Sequence, residues 1–217
     1  MSWYVFALVD EVPPRPLGKG ISMPLSVRRL PACAAVVERR GDVPPIEMGA
    51  LTSHDRVVSA IWKSVPAMLP VRFGTLLDSA ELQEALEGHD EELKEAFAFV
   101  RGRGQFTWRA RVPASRRAAA GTLRQPASGT EYLRRAARAA SPAPPARYAA
   151  LRAVLKPFIA AERFEASKGA VPERLYHLVD KTQMDEYSAL ARTLSTAPPA
   201  PTLTGPWPPY AFAPDIL

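Results

Sequence analysis

Three histidines, one cysteine and a run of carboxylates are the side chains of this 217-residue chain with most chemical potential. His54 and Asp55 are adjacent, which could supply a general base with its orienting carboxylate. Neighbours in sequence at a helix start do not face each other, so a place in the cap region is the expectation for His54. His89 falls on an apolar helical stripe, at the edge of a core. His177 alternates with Leu175 and Val179 in a strand pattern, so it points inward, as a satisfied core histidine or as a ligand. Three scattered histidines and the single Cys33 match no ligand spacing, and no metal is expected. Cys33 lies in the apolar run ACAAVV and reads as a small packed hydrophobe. Gly18 and Gly20 resemble a fragment of a phosphate loop, yet GKG has neither the spacing nor the capped helix such a loop requires, so no cofactor is expected. With no catalytic constellation, the reading is that the chain is not an enzyme. Glu84, Glu87, Asp90, Glu91, Glu92 and Glu95 form an acidic stretch, which either receives a basic partner or is a solvated helix face.

The composition narrows the classes further. Hydrophobic content of 47% with 23% charged residues belongs to globular protein with a real core. A net charge of +6 would suit an acidic partner, but the arginines are scattered among alanines from Arg101 to Arg138, with no zinc-finger spacing, aromatic RNA-binding signature or helix-turn-helix pattern. Nucleic acid is therefore not the expected partner. No run is long and apolar enough to span a bilayer, and MSWYVFALVDE lacks the basic start and cleavage site of a signal peptide, which predicts a cytoplasmic protein without membrane association.

The elements that must position these side chains follow from hydrophobic period. Trp3 to Val9 is apolar at nearly every position, the pattern of a central strand covered on both faces. Pro13 to Gly20 reads as a loop and Ala32 to Glu38 as a second strand. Thr52 and Asp55 form a capping-box pattern before a helix whose stripe is Val57, Val58, Ile61, Trp62 and Val65, and Pro66 stops it. Leu69, Val71 and Phe73 alternate with Pro70 and Arg72 in a short strand closed by Gly74. Asp78 and Glu81 repeat the capping pattern before a long helical stretch to Val100, interrupted at Gly88, and Phe106 to Val112 alternates as a strand. This first half, β, β, α, β, α, β, predicts helices on one face of a mixed or antiparallel sheet. Beyond a linker the pattern gives a short helix over Glu131 to Ala140, a stiff break at Ser141 to Pro145, and a helix through Leu151, Val154, Leu155, Phe158 and Ile159. A strand over Arg174 to Val179, a helix over Met184 to Leu194 and a last strand over Thr202 to Thr204 complete it. The expectation is therefore an α+β protein of two domains: 1–113, a linker 114–129, and a smaller α+β domain 130–217. Pro206, Pro208 and Pro209 make GPWPPYAF an extended tail, whose Trp207 and Tyr210 dock into a groove of this protein or of another.

These segments together resemble a known family. HDRVVSAIWKSVPAMLPVRFGTLL, from His54 to Leu77, is similar to the core of the gas vesicle GvpL/GvpF family, in which a His-led helix precedes a Leu-Pro-(Val/Leu)-Arg-Phe-Gly-Thr strand. WYVFALV at Trp3 to Val9 resembles the family's first strand, GTEYLRR at Gly129 to Arg135 its Gly-x-x-Tyr-Leu segment, and LTGPWPPYAF at Leu203 to Phe212 its terminal signature. The resemblance implies two α+β domains of ferredoxin-like character. It also implies a cytoplasmic accessory protein, associated with gas vesicles, that assists shell assembly by binding the small hydrophobic shell protein GvpA or other accessory proteins. Arg72, Phe73, Trp108, Trp207 and Tyr210 are the candidate partner-binding or signature residues. Arg72 either pairs with an acidic residue on a neighbouring element or faces a partner. The strand around Trp108 departs from the pattern at Thr107 and Arg109, and Arg163 to Lys168 is short and polar, which leaves open whether the second sheet is complete. Two other classes compete: a small-ligand-binding or enzymatic domain around His54, Arg72 and His177, and an arginine-dependent nucleic-acid binder.

Overall fold

Strand β1, Ser2–Val9, is buried at every position after Ser2, as its unbroken apolar pattern requires. The computed structural model, which describes residues 2–13, 18–110, 143–167, 171–194 and 201–217, shows what covers it. Strands β2 (Leu25–Arg29) and β3 (Ala34–Arg40) pair antiparallel, and β3 pairs antiparallel with β1. On its other side β1 pairs antiparallel with β4 (Met68–Pro70) and β5 (Leu76–Asp78), giving the order β2-β3-β1-β4 with β5 also on β1.

Helix α1, Met48–Ser64, buries His54, Val57, Val58, Ile61 and Trp62, with His54 against Tyr4 and Phe6 of β1. Trp3 and Val5 alternate to the opposite face and join one apolar cluster with Leu82 and Leu86 of α2 (Ser79–Leu86) and Leu93, Phe97 and Val100 of α3 (Asp90–Val100). Helices thus lie on both faces of this sheet rather than one, which is why β1 carries no wet side. Two local expectations change. The helix starts at Met48, after the prolines at 44 and 45, so Thr52 and Asp55 lie inside it and its N-cap, Glu47, makes no side-chain cap. The strand expected to reach Phe73 ends at Pro70, and Gly74, at φ +97°, turns the chain back into β5. The Asp78–Glu81 capping box forms, with Asp78 Oδ1 accepting from the amides of Ala80 and Glu81 at 2.8 and 2.9 Å and Glu81 Oε2 accepting from the Asp78 amide at 2.7 Å. Gly88 separates α2 from α3.

Glu38 on β3 is wholly buried, and its carboxylate gathers the loop before β2. It accepts from the amides of Ile21, Ser22 and Met23 at 2.5, 2.9 and 2.9 Å and from the Ser22 hydroxyl at 2.7 Å. Burial pushes its pKa up, but those four donors outweigh it and hold the group below the usual glutamate value. Gly20 sits so close that a Cβ there would collide with the carboxylate.

The chain divides into two compact units, one of 1–105 with 207–217 and one of 106–206. This departs from the expected boundary at 113 in two places. Strand β6, Arg103–Ala110, belongs to the second sheet, and the chain end from Trp207 returns to the first unit. The physical reason lies in β6 itself: Gln105, Phe106, Thr107 and Trp108 are all buried, so the strand needs cover on both faces and a neighbour on each edge. The second unit supplies both. Its helix α4 is Ala149–Leu155, its strands β7 and β8 are Ile159–Glu165 and Glu173–Asp180, helix α5 is Met184–Thr193, and β9 is Thr202–Trp207. The succession β, α, β, β, α, β with strand order β7-β8-β6-β9 is the ferredoxin-like arrangement, with four strands in the sheet. The helix expected to run through Ile159 ends at Leu155, because Pro157 cannot continue it, and Ile159 opens β7 instead. The proline-bearing β9 takes the edge of the sheet. The linker 114–129, the helix over Glu131 to Ala140 and the Gly129 to Arg135 segment lie outside the described residues.

Candidate functional site

In the first unit, parts of three of the four signature segments meet. Tyr4 is an aromatic residue in a strand buried on both faces, and its hydroxyl needs a partner there. It finds two. The Gly74 amide donates to Tyr4 Oη at 3.2 Å, and Tyr4 Oη stands 2.9 Å from His54 Nδ1, to which it donates while the other ring nitrogen bonds to the Val71 backbone. Phe73 packs edge-on to both rings, at 6.1 Å from Tyr4 and 5.5 Å from His54. Burial pushes the His54 pKa down to about 4, with the Val71 backbone pulling weakly the other way, so the ring is neutral at pH 7. His54 is therefore not a cap residue: it stands inside α1, 5% exposed, and fixes the turn that carries Arg72, Phe73 and Gly74.

The chain end closes over this turn's neighbourhood. Tyr210 has its pKa raised, first by burial and then by the charges of Asp55 and Tyr4, so it lies within electrostatic reach of both. The Ala211 amide donates to Gln105 Oε1 at 2.7 Å, and Phe212 packs against Phe99 with ring centroids 6.3 Å apart. Arg72 Nη2 meets Asp215 Oδ2 at 3.2 Å. Both side chains are largely exposed, 76% for Arg72 and 61% for Asp215, so this pair contributes less than about 1 kcal/mol. Arg72→Ala should accordingly leave the thermal midpoint within a few degrees of the parent, a result differential scanning calorimetry checks; a loss of ten degrees would overturn the reading that the Arg72–Asp215 pair contributes little to the fold.

Of the five candidate residues, Arg72, Phe73 and Tyr210 come together in this unit, and Trp207, 37% exposed, begins the chain end that returns to it. Trp108 does not join them. It lies in the second unit, fully buried, and its Nε1 donates to Tyr187 Oη at 2.9 Å. Tyr187 in turn donates to His177 Nδ1 at 2.8 Å, His177 Nε2 donates to Glu162 Oε2 at 3.2 Å, and Arg152 Nε reaches both Glu162 oxygens at 2.9 and 2.8 Å. Burial holds the His177 pKa below the ordinary value despite Glu162 beside it. This chain of donors satisfies a buried histidine; it presents nothing to a ligand, and His89, bonded to Glu92 at 2.8 Å, sits on α3's exposed end.

Surface residues that sequence reasoning passed over lie just before α1 and in its first turn. Val43, Ile46, Met48 and Leu51 are 50%, 83%, 78% and 36% exposed. Val43 also reaches the signature turn, its Cγ1 lying 3.8 Å from where a Cβ on Gly74 would stand. The signal available was that Ile46 and Met48 precede the buried stripe of α1 and have no place in it. Among the described residues no helix is long and apolar enough to cross a membrane.

A family model described as "Gas vesicle synthesis protein GvpL/GvpF" matches residues 2–214. Two solved structures share the fold. The gas vesicle protein GvpF from Anabaena sp. PCC7120 superposes with a TM-score of 0.72 at 14% identity, over 98% of this chain and 95% of that one. GvpF from Microcystis aeruginosa gives 0.70 at 12% identity, over 97% and 98%. A search of curated proteins returns no match.

Proposed function

Since this chain belongs to the gas vesicle synthesis protein GvpL/GvpF family, we propose that its accessory role in gas vesicles is to assist shell assembly by binding the small hydrophobic shell protein GvpA, or fellow accessory proteins. The observation that carries this reading is the apolar surface at 43–51. A soluble domain hides its large aliphatic side chains where it can, and a run of them left in water beside a turn fixed from beneath by Tyr4 and His54 marks a contact surface. Such a surface suits a hydrophobic shell subunit, which it would shield before the subunit joins the growing shell. Arg72 and the half-buried Phe73 border it through Gly74.

Co-expression with GvpA tests the proposal. The parent chain should retain GvpA through affinity purification, and the double substitution Ile46→Glu/Met48→Glu should reduce the retained GvpA by about tenfold, because two carboxylates would have to be desolvated against an apolar partner. Both positions are exposed, so the variant should fold with an unchanged far-ultraviolet spectrum. Equal recovery of GvpA with parent and variant would overturn this assignment of the surface, and normal vesicles in a strain lacking the gene would overturn the assembly role.

A further inference from the structure

We propose that the groove between the β2–β3 turn and helices α2 and α3 is a docking site for a basic amphipathic segment of a partner protein, distinct from the apolar surface at 43–51. Leu30 and Cys33 of the turn and Leu86 and Leu93 of the helices form its apolar floor, and its volume is about 600 Å³. That is room for two or three aliphatic side chains inserted from one face of a helix.

The rim decides what can enter. Glu84, Glu87 and Asp90 stand around the opening, all exposed; none makes a direct ion pair among the described residues, and Lys94, which Asp90's charge reaches, is bonded to Glu91. Several carboxylates elsewhere are matched: Glu38 and Asp42 with Arg40, Asp10 and Glu11 with Arg101, Glu173 with Arg147, Glu162 with Arg152. In a chain of net charge +6, a groove ringed by unmatched carboxylates reverses the local sign. The charge reaches the floor, since Asp90 adds to burial in pushing the Cys33 thiol up to about 11. Of the two arginines that end β2, Arg28 is engaged over the Trp3 ring at 3.6 Å from its centroid, and Arg29 is exposed. An apolar floor under an acidic rim fits aliphatic side chains flanked by lysine or arginine, and repels an acidic segment.

The protein's own chain end is not the occupant. Phe212, Ala213, Ile216 and Leu217 pack against the same apolar cluster, but none of them lines the groove: Phe212 contacts Phe99 near the C-terminal end of α3, while the groove opens at the N-terminal end, by Asp90 and Leu93. Since α1 and the stretch at 43–51 belong to the other face of the sheet, the first unit could hold two partners at once.

The test uses the full chain and a synthetic helical peptide of about 15 residues with leucines at i, i+3, i+4 and i+7 and lysines on both flanks. Controls replace every lysine by glutamate or every leucine by serine. Fluorescence anisotropy should show saturable binding of the lysine peptide, with Leu86 and Leu93 methyl resonances shifting on titration. Glu84→Lys/Glu87→Lys, both at exposed positions, should weaken it about tenfold, and so should raising salt from about 0.05 to about 0.5 M. Binding of both charged peptides alike, no binding, or shifts confined to other methyls would each overturn the proposal. So would concentration-dependent dimerisation that shifts the Leu86 and Leu93 methyls without peptide, because a second copy would then be the occupant. Ile46→Glu/Met48→Glu should bind the peptide normally and Glu84→Lys/Glu87→Lys should retain GvpA, so either surface can fail while the other stands.

Discussion

Lowering the pH from about 7 to about 4 should remove about 3 kcal/mol of stability through His54 alone, and that part should disappear when His54 is replaced by phenylalanine, while the buried His177, whose pKa is also lowered, adds a loss of the same sign that remains in both proteins. His54 is 5% exposed and its pKa is pushed down to about 4, whereas in the unfolded chain it titrates near 6.5. Between these values the unfolded chain binds a proton that the folded chain refuses. Stability therefore falls as pH drops through 6.5 and the loss is complete below about 4. The geometry agrees with the sign. A proton on Nδ1 would face the Tyr4 hydroxyl, which already accepts from the Gly74 amide, and would force that hydroxyl to give up its acceptor. Further acid should act through Glu38 and Glu162, whose folded pKa values are depressed, so their contributions are present above the ordinary glutamate value and are lost as pH falls through the lower folded ones. Guanidinium unfolding followed by tryptophan fluorescence at several pH values gives the two slopes; identical slopes for parent and His54→Phe would sink the prediction. His54→Phe lowers stability at neutral pH as well, because Tyr4 loses its acceptor, so the slope and not the midpoint is the measure.

Tyr187→Phe should cost about 3 kcal/mol, a large effect for the removal of one oxygen atom. That oxygen serves two buried partners, accepting from Trp108 and donating to His177, both fully enclosed. Deleting it leaves an indole N–H and an imidazole nitrogen without partners, each at about 1–3 kcal/mol. No water replaces the hydroxyl cheaply, since Phe106 stacks on the Tyr187 ring with centroids 4.4 Å apart and Phe158 closes it edge-on. Chemical denaturation of parent and variant at neutral pH measures the cost directly. A change under about 1 kcal/mol would mean the Trp108–Tyr187–His177 chain is looser than its geometry states.

What could be read in the sequence divides along a physical line. Local signals were legible where they were complete within a few residues. The Asp78–Glu81 box, the stop at Pro66, the break at Gly88 and the inward direction of His177 all depend on neighbours or on period, whereas the partners that satisfy His177 lie further along the chain. The continuous apolar pattern of β1 already required cover on both faces, and the helices supply it. Illegible features are those decided by distant partners. Strand β2, LSVRR, is an edge with mostly exposed residues, and β7, IAAERFE, mixes apolar and charged positions; neither shows a clean alternation. The sheet to which β6 belongs is set by pairing with residues far along the chain, and no period in its own residues reports that. His54 looked like a cap residue because the prolines that move the helix start to Met48 act from outside the capping pattern. The chain end was readable as an extended segment, but its seat within electrostatic reach of Tyr4 and Asp55 was not. For the candidate surface, the acidic run was visible as a run; its arrangement around an apolar floor needed α2 and α3 to be folded at Gly88.

The GKG segment that resembled part of a phosphate loop is, in the folded chain, an anion site that the protein fills itself. The amides following Gly20 converge on a carboxylate as a phosphate-binding loop's amides converge on an oxyanion, but the carboxylate is Glu38, delivered from β3. Positions 20 and 38 are thereby written as one unit. A side chain at 20 is excluded while a carboxylate stands at 38, and a shorter residue at 38 would leave three amides unanswered, so neither position can change alone without loss. A single pair of residues thus ties the entry loop of the first sheet to its interior strand, and settles what that loop can never hold.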